Sequence, residues 1–251
     1  MAKIRVDVGE IPGELLRSAL DEQGYALLTV PPDGLRRTHR ALDLLDLCLT
    51  TVGRPIQVFD NCTAWRSIGV DTQREPSRSE GVGESPLHMD FVNARNPPEY
   101  VMLYCERNDI LGGGDTYLVP TAAVERLSRA ARDCLAEPVY SDGRVVGLLN
   151  VGSDINPFPV APRQGPWRLR YTGQLLRTDL PQRALSALRE LDAILWSELT
   201  RLHLHKGEAI LMDQRRVLHG RARLGSGQDG LAPEQRRQLW QRFGRDETGA
   251  A

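Results

Sequence analysis

Short strand-like runs follow one another along this chain without the regular β-α alternation that a parallel sheet requires. That order limits the fold more than any other feature of the sequence. Residues 3–8, KIRVDV, suit a short strand. Glu14 to Glu22 carries Leu15, Leu16, Ala19 and Leu20 at helical spacing, Gly24 ends that helix, and residues 25–30, YALLTV, read as a buried strand. Pro31, Pro32 and Asp33 open a second helix, with Asp33 as its N-cap, running to about Thr51 with Leu42, Leu45 and Leu49 inward. Strands follow at residues 55–59, PIQVF, and around LHMDF, EYVMLYC and DTYLV within residues 87–119. Thr121 caps a predicted helix to about Leu135, residues 139–180 read as irregular and mostly extended, and Pro181 opens a long helix to about Leu202. The chain then returns to strands at EAILM, RVLHGRARL and RQLWQRF. Residues 71–86, rich in Gly, Ser and Pro, predict a mobile loop beside a site, and residues 225–230, GSGQDG, a flexible insertion between the last two strands.

These elements predict a mainly β fold with flanking helices (α+β), its core a double-stranded β-helix of the jelly-roll, cupin-like kind. With 251 residues, one domain over 1–251 is expected, with a jelly-roll core at about 55–119 and 205–245 and a helical insertion at about 120–204. A formal net charge of −1 supplies no global field toward nucleic acid or anionic lipid. Lys3 and Lys206 are the only lysines among 32 basic residues; acidic residues balance the arginines along the chain, so arginine richness does not mark a nucleic-acid binder. Trp65, Trp167, Trp196 and Trp240 are too scattered for a base-stacking groove and read as packing residues. Cys48, Cys62, Cys105 and Cys134 form no C-x-x-C pair and read as buried reduced thiols. With no leader-like start and no run of about 18 apolar residues, a cytoplasmic location and no membrane partner are expected.

The chemistry concentrates at His88-Met89-Asp90, where polar loop gives way to strand. Residues two apart on a strand share a face, so His88 and Asp90 can reach one point. Of the other histidines, His39 lies among arginines in a predicted helix, and His203 and His205 sit at a predicted helix end, where a cation favours the dipole. His219 lies instead in an apolar strand, VLHGRARL. Two histidines and one carboxylate with open positions suit non-haem iron(II), leaving room for a bidentate 2-oxo acid and dioxygen.

The segment LHMDFVNARNPPEYVMLYCERNDILGGGDTYLVP resembles the first barrel half of the taurine dioxygenase (TauD/TfdA) family of Fe(II)/2-oxoglutarate-dependent dioxygenases, within the clavaminate synthase-like superfamily. Gly113-Gly114-Asp115-Thr116 matches the family's Gly-Gly-Asp-Thr motif, residues 213–224, DQRRVLHGRARL, its distal histidine strand, and residues 237–243, RQLWQRF, its closing strand. Gln214 stands where the family often has Asn. The resemblance implies His88, Asp90 and His219 as catalytic iron ligands, and Thr116 and Arg237 as the pair holding 2-oxoglutarate. A guanidinium grips a carboxylate by two charge-assisted bonds and a hydroxyl adds a third. The longer gap after His219 leaves Arg236 as a rival, and strand alternation lets only one of the two face inward; Leu239 and Phe243 share the face of Arg237. Asp90 separates the chain from halogenase relatives, which carry a small residue there.

The expected function is hydroxylation of a small polar, amino-acid-like or amine-bearing metabolite with release of succinate and CO2, in bacterial secondary metabolism. Fe(II) is the expected metal, and 2-oxoglutarate and O2 the co-substrates. Glu84, four residues before His88, would attract an ammonium or guanidinium group, and Asn93 would add a neutral hydrogen bond. Arg221 or Arg242 would hold a substrate carboxylate. Gln241 stands where taurine-specific relatives carry a second arginine, which disfavours a sulfonate. Arg215, Arg216 and Arg221 otherwise read as solvated or salt-bridged strand residues. Alternatives are a desaturase or epoxidase of the same family, a zinc or manganese hydrolase, which needs no Thr116–Arg237 clamp, and a non-catalytic jelly-roll binding protein.

Overall fold

The structure, a computed structural model, describes residues 3–6, 11–30, 38–61, 64–143 and 147–247. Among them eleven strands lie in two sheets. The larger is ordered β1 (Ile4–Arg5), β2 (Tyr25–Thr29), β9 (Glu208–Asp213), β6 (Tyr100–Arg107), β11 (Gln238–Arg245) and β3 (Arg54–Ile56), and β4 (Arg66–Gly69) also pairs with β11. The smaller is ordered β5 (Ser85–His88), β10 (Val217–Arg221), β7 (Thr116–Pro120) and β8 (Thr200–Leu202). All pairings are antiparallel except β1 with β2. This is the jelly roll that the strand order predicts.

Strand alternation sorts the side chains into three apolar layers. Along β9, Ile210 and Met212 point between the sheets with Val101, Leu103, Cys105, Leu118, Leu239 and Phe243. Ala209 and Leu211 point outward, and with Met102 and Tyr104 they meet Leu16 and Leu20 of α1 (Gly13–Gln23) and Leu42, Leu45 and Leu49 of α2 (Thr38–Thr50). The smaller sheet turns Leu87, Tyr117, Val119 and Leu218 outward, against α3 (Arg129–Leu135), α4 (Gln182–Ser197) and the extended chain between them. Each fully buried Leu or Phe contributes roughly 1.5–3 kcal/mol relative to exposure, so the two outer layers hold the sheets in place around the site between them. None of the described helices is long and apolar enough to cross a membrane.

Several boundaries differ from expectation. The helix after Thr121 is broken: Thr121–Arg126 is 3-10, and α3 starts afresh with Ser128 accepting from the Ala131 amide. The long helix stops at Ser197 instead of Leu202, because residues 200–202 pair with β7 as an edge strand. His203 and His205 therefore follow a strand, and the dipole argument does not apply to them. The strand expected at 55–59 is Arg54–Ile56, with Phe59 only bridging Leu148, and β4 was not foreseen. The 225–230 insertion is tied down: Asp109 accepts from the Gly225 amide and from Gln228 Nε2, and Gln228 is buried. The proposed cap at Asp33 lies outside the described residues. Cys48, Cys105 and Cys134 are free thiols, the first two buried and the third partly exposed; Cys62 lies outside the described residues.

Candidate functional site

The two sheets enclose a cavity of about 410 Å3 whose wall includes His88, Asp90, Thr116, His219, Arg221, Arg237, Leu239 and Gln241. An inner strand of the smaller sheet, β10, places His219 opposite His88 of β5 and Arg221 opposite Thr116 of β7. Asp90 is not in a strand. The backbone turns sharply after it, with Phe91 at φ 58, and the Asp90 amide donates to Gln214 Oε1 at 2.6 Å. Gln214 Nε2 in turn donates to the Pro98 carbonyl. Gln214, where relatives often have Asn, thus props the turn that aims Asp90.

The ligand atoms of His88, Asp90 and His219 all lie within 4.8 Å of one another, with Nε2 of His88 at 3.7 Å and Nε2 of His219 at 3.5 Å from the Asp90 carboxylate. His88 Nδ1 is 2.8 Å from the Pro86 carbonyl, which can only accept, so Nδ1 carries the proton and Nε2 keeps its lone pair for a metal. Burial, and then the neighbouring His88, push the pKa of His219 down to about 4, against the pull of Asp90, so the ring is neutral at physiological pH. Two imidazoles and a carboxylate converging from one side fit a divalent iron ion with three positions left open.

In the same cavity, Arg237 is buried without a hydrogen bond or ion pair to any described residue. Burial, reinforced by Arg221, lowers its pKa to about 10, so it stays charged. A buried, unpartnered cation is costly unless a ligand supplies the counter-charge. Thr116, also buried, shares this cavity. The two glycines before it allow the close approach: a Cβ on Gly113 would lie 2.6 Å from the Gly225 amide nitrogen, and one on Gly114, at φ 71, would lie 3.3 Å from Arg237 Cδ and Nε. Arg236 faces the other way, its Nε donating to the Leu231 carbonyl.

The other candidates divide. Gln241 lines the cavity, with Nε2 3.4 Å from Asp90 Oδ2. Arg221 lines it as well, but its guanidinium is committed to the carbonyls of Gly81, Arg78 and Ala222, so it staples the 71–84 loop. Glu84 is outside the cavity: it is exposed and accepts from Tyr117 Oη, which is on the opposite face of β7 from Thr116. Asn93 is buried and donates to the carbonyls of Asp142 and Gly143, shaping the cavity rim without lining it. Arg242 points away, bonded to Asp46, Ile56 and Ala64. Arg215 pairs with Asp213 and Asp246, and Arg216 with Asp21. The carboxylates of the cavity wall are Glu80, Asp90 and Asp142. Glu80 and Arg66, an ion pair in that wall, carry no motif and went unnoticed in the sequence. Asp115 of the glycine motif bonds His203 at 2.8 Å outside the cavity.

The family model described as "Taurine catabolism dioxygenase TauD, TfdA family" matches residues 6–143. Dioxygenase str8 of Strobilurus tenacellus is 27% identical over 154 residues, 54% of this chain and 34% of that protein, so the match spans about a third of the relative's length. The fold is similar to that of asparagine oxygenase in complex with Fe(II), a 3-hydroxyasparagine and succinate, with TM-score 0.74 and 22% identity, covering 93% of this chain and 78% of that one. It is also similar to that of the non-haem iron oxygenase OrfP in complex with Fe and α-ketoglutaric acid, with TM-score 0.69 and 19% identity over 93% of this chain and 78% of that one. With its family motifs folded around a single cavity, the chain belongs to the TauD/TfdA family of iron(II)- and 2-oxoglutarate-dependent dioxygenases.

Proposed function

We propose that this protein hydroxylates a small polar, amino-acid-like metabolite, consuming 2-oxoglutarate and O2 and releasing succinate and CO2. The observation that carries the reading is the unpartnered, buried Arg237 guanidinium, in one cavity with Thr116 and the three convergent ligands. His88, Asp90 and His219 would hold Fe(II), which supplies the activation of dioxygen when bound. Arg237 would take the distal carboxylate of 2-oxoglutarate in a bidentate grip, with the Thr116 hydroxyl donating a further bond. The cavity walls include the apolar side chains of Leu103, Leu239 and Ile68. Asp90 completes the ligand set, so oxygen insertion into a C–H bond is the expected outcome and halogenation is not. The amino-acid class draws on the neighbours of this fold, one seen with a hydroxyasparagine and another, OrfP, with hydroxyarginine. A zinc hydrolase could use the same three ligands but would have no use for Arg237.

The test is succinate release under Fe(II), 2-oxoglutarate and O2 across a panel of L-α-amino acids and other small polar metabolites. Substrate-dependent succinate, with one hydroxyl gained by the substrate, supports the proposal. Hydrolytic turnover with Zn(II), and no succinate from any compound, would overturn it.

A further inference from the structure

Arg66 and Glu80 are an opposite-charge pair in the cavity wall, one on β4 and the other on the 71–84 loop. Their side chains are 28% and 24% exposed, so they meet the cavity without being sealed from solvent. Arg66 is held in place from several sides. Its guanidinium lies 4.7 Å over the Phe59 ring, donates to Gln241 Oε1 and Ser79 Oγ at 3.3 Å each, and bonds Glu80. Glu80 also accepts from Ser79 Oγ at 2.9 Å. Burial alone would raise the pKa of Glu80, but Arg66 and Ser79 more than offset this, and the carboxylate is ionised at neutral pH. The pair stands at a defined place relative to the chemistry: β4 and β11 put Arg66 directly across from Gln241, and Gln241 contacts Asp90.

We propose that Arg66 and Glu80 form the recognition subsite for the zwitterionic end of an α-amino acid, Arg66 taking the carboxylate and Glu80 the ammonium. The inference rests on the amino-acid reading of the site and goes further by naming the residues that select it. A partly solvated ion pair contributes little net stability, so a ligand that supplies one group of each sign can replace each partner without stranding a charge. A simple anion would satisfy Arg66 but face Glu80, and a simple amine would do the reverse. The pair therefore selects ligands carrying both charges close together. Gln241, bridging Arg66 and Asp90, then sets how far the side-chain carbons lie from the metal ligands.

The experiment is anaerobic calorimetric binding to the protein loaded with Fe(II) and 2-oxoglutarate. The probes are a panel of L-α-amino acids, beginning with L-asparagine and L-arginine, and the α-amide and N-acetyl derivative of each binder. For any amino acid that binds, both derivatives should bind at least about tenfold more weakly, as expected for losing a charged hydrogen-bond partner. Arg66→Gln should narrow the gap between acid and amide, and Glu80→Gln the gap between free amine and N-acetyl. Because either single change could loosen the 71–84 loop, a charge-reversed double variant, Arg66→Glu with Glu80→Arg, keeps an ion pair and inverts its polarity. A merely structural pair would be rescued by this exchange; a recognition pair would still lose binding by about tenfold or more. An amino acid that binds wild type and the folded double variant equally overturns the subsite and leaves the amino-acid reading standing. Binding by no amino acid, with succinate released from some other class of compound, overturns both.

Discussion

The cavity between the sheets, about 410 Å3, and a larger depression of about 560 Å3 beside α1 and β9 both have arginines in their walls. In the larger one every arginine is engaged: Arg215 with Asp213, Asp246 and Tyr100, Arg216 with Asp21, Arg17 with the Thr51 carbonyl, and Arg168 with Glu125. Burial alone would lower the pKa of Arg215, but its bonds to Asp213 and Asp246 raise it. In the smaller cavity, Arg237 has the same side chain and no partner among the described residues, and its pKa falls. Size does not distinguish the two depressions; the unmet hydrogen bonds of one buried cation do. The larger depression is a salt-bridged seam between elements, and the smaller one leaves a buried cation that a ligand carboxylate would satisfy.

The largest effects are expected at the three candidate metal ligands. Replacing His88, Asp90 or His219 by Ala should abolish turnover and bound iron, read by metal analysis, while circular dichroism shows the fold retained; wild-type turnover by Asp90→Ala would remove the metal assignment. The two arginines sharpen it next. Arg237→Ala should raise the apparent constant for 2-oxoglutarate by roughly 30- to 1000-fold, from about 2–4 kcal/mol of lost charged hydrogen bonding, and that for the prime substrate far less. Arg236→Ala should leave both near wild type. Stability should move in opposite directions at the two sites. Arg215→Ala strands Asp213 and should cost up to about 3 kcal/mol in thermal denaturation. Arg237→Met, measured without ligands, removes an unpaired buried charge and should raise the melting temperature by about 2–4 °C. A further difference is in pH. Because burial depresses the pKa of His219, the unfolded chain takes up a proton that the folded chain refuses. The metal-free protein should therefore lose stability as pH falls from about 6.5 toward about 4, and a His219→Asn variant should lack that component.

What the sequence disclosed follows from how local each signal is. The strands of the core were legible because EAILM and EYVMLYC are short, continuous apolar runs, and the candidate iron ligands because His88, Asp90 and His219 sit in a dense motif context. Arg237 was favoured over Arg236 by the resemblance, with strand parity in support; Arg237 lines the cavity, while Arg236 turns to the Leu231 carbonyl. Features that depend on distant chain were not legible. Residues 200–202 look helical until β7 offers them an edge. β4 is four residues long and is defined by its pairing with β11, so Arg66 could not be placed in the cavity from its neighbours in sequence. Glu84 was assigned by its distance from His88, but Tyr117 holds it on the outer face of the sheet, while Glu80, four residues earlier, lines the cavity. The 225–230 segment has a loop's composition, and only the buried carboxylate of Asp109, more than 100 positions away, reveals that it is fastened.

The most direct test of the central claim is a crystal structure of the protein grown anaerobically with Fe(II) and 2-oxoglutarate. One metal ion is expected on Nε2 of His88, Nε2 of His219 and the Asp90 carboxylate, with the distal carboxylate of 2-oxoglutarate on the Arg237 guanidinium and the Thr116 hydroxyl. A metal bound elsewhere, or a 2-oxoglutarate carboxylate seated on Arg221, on Arg66 or in the salt-bridged depression while Arg237 stays bare, would contradict it.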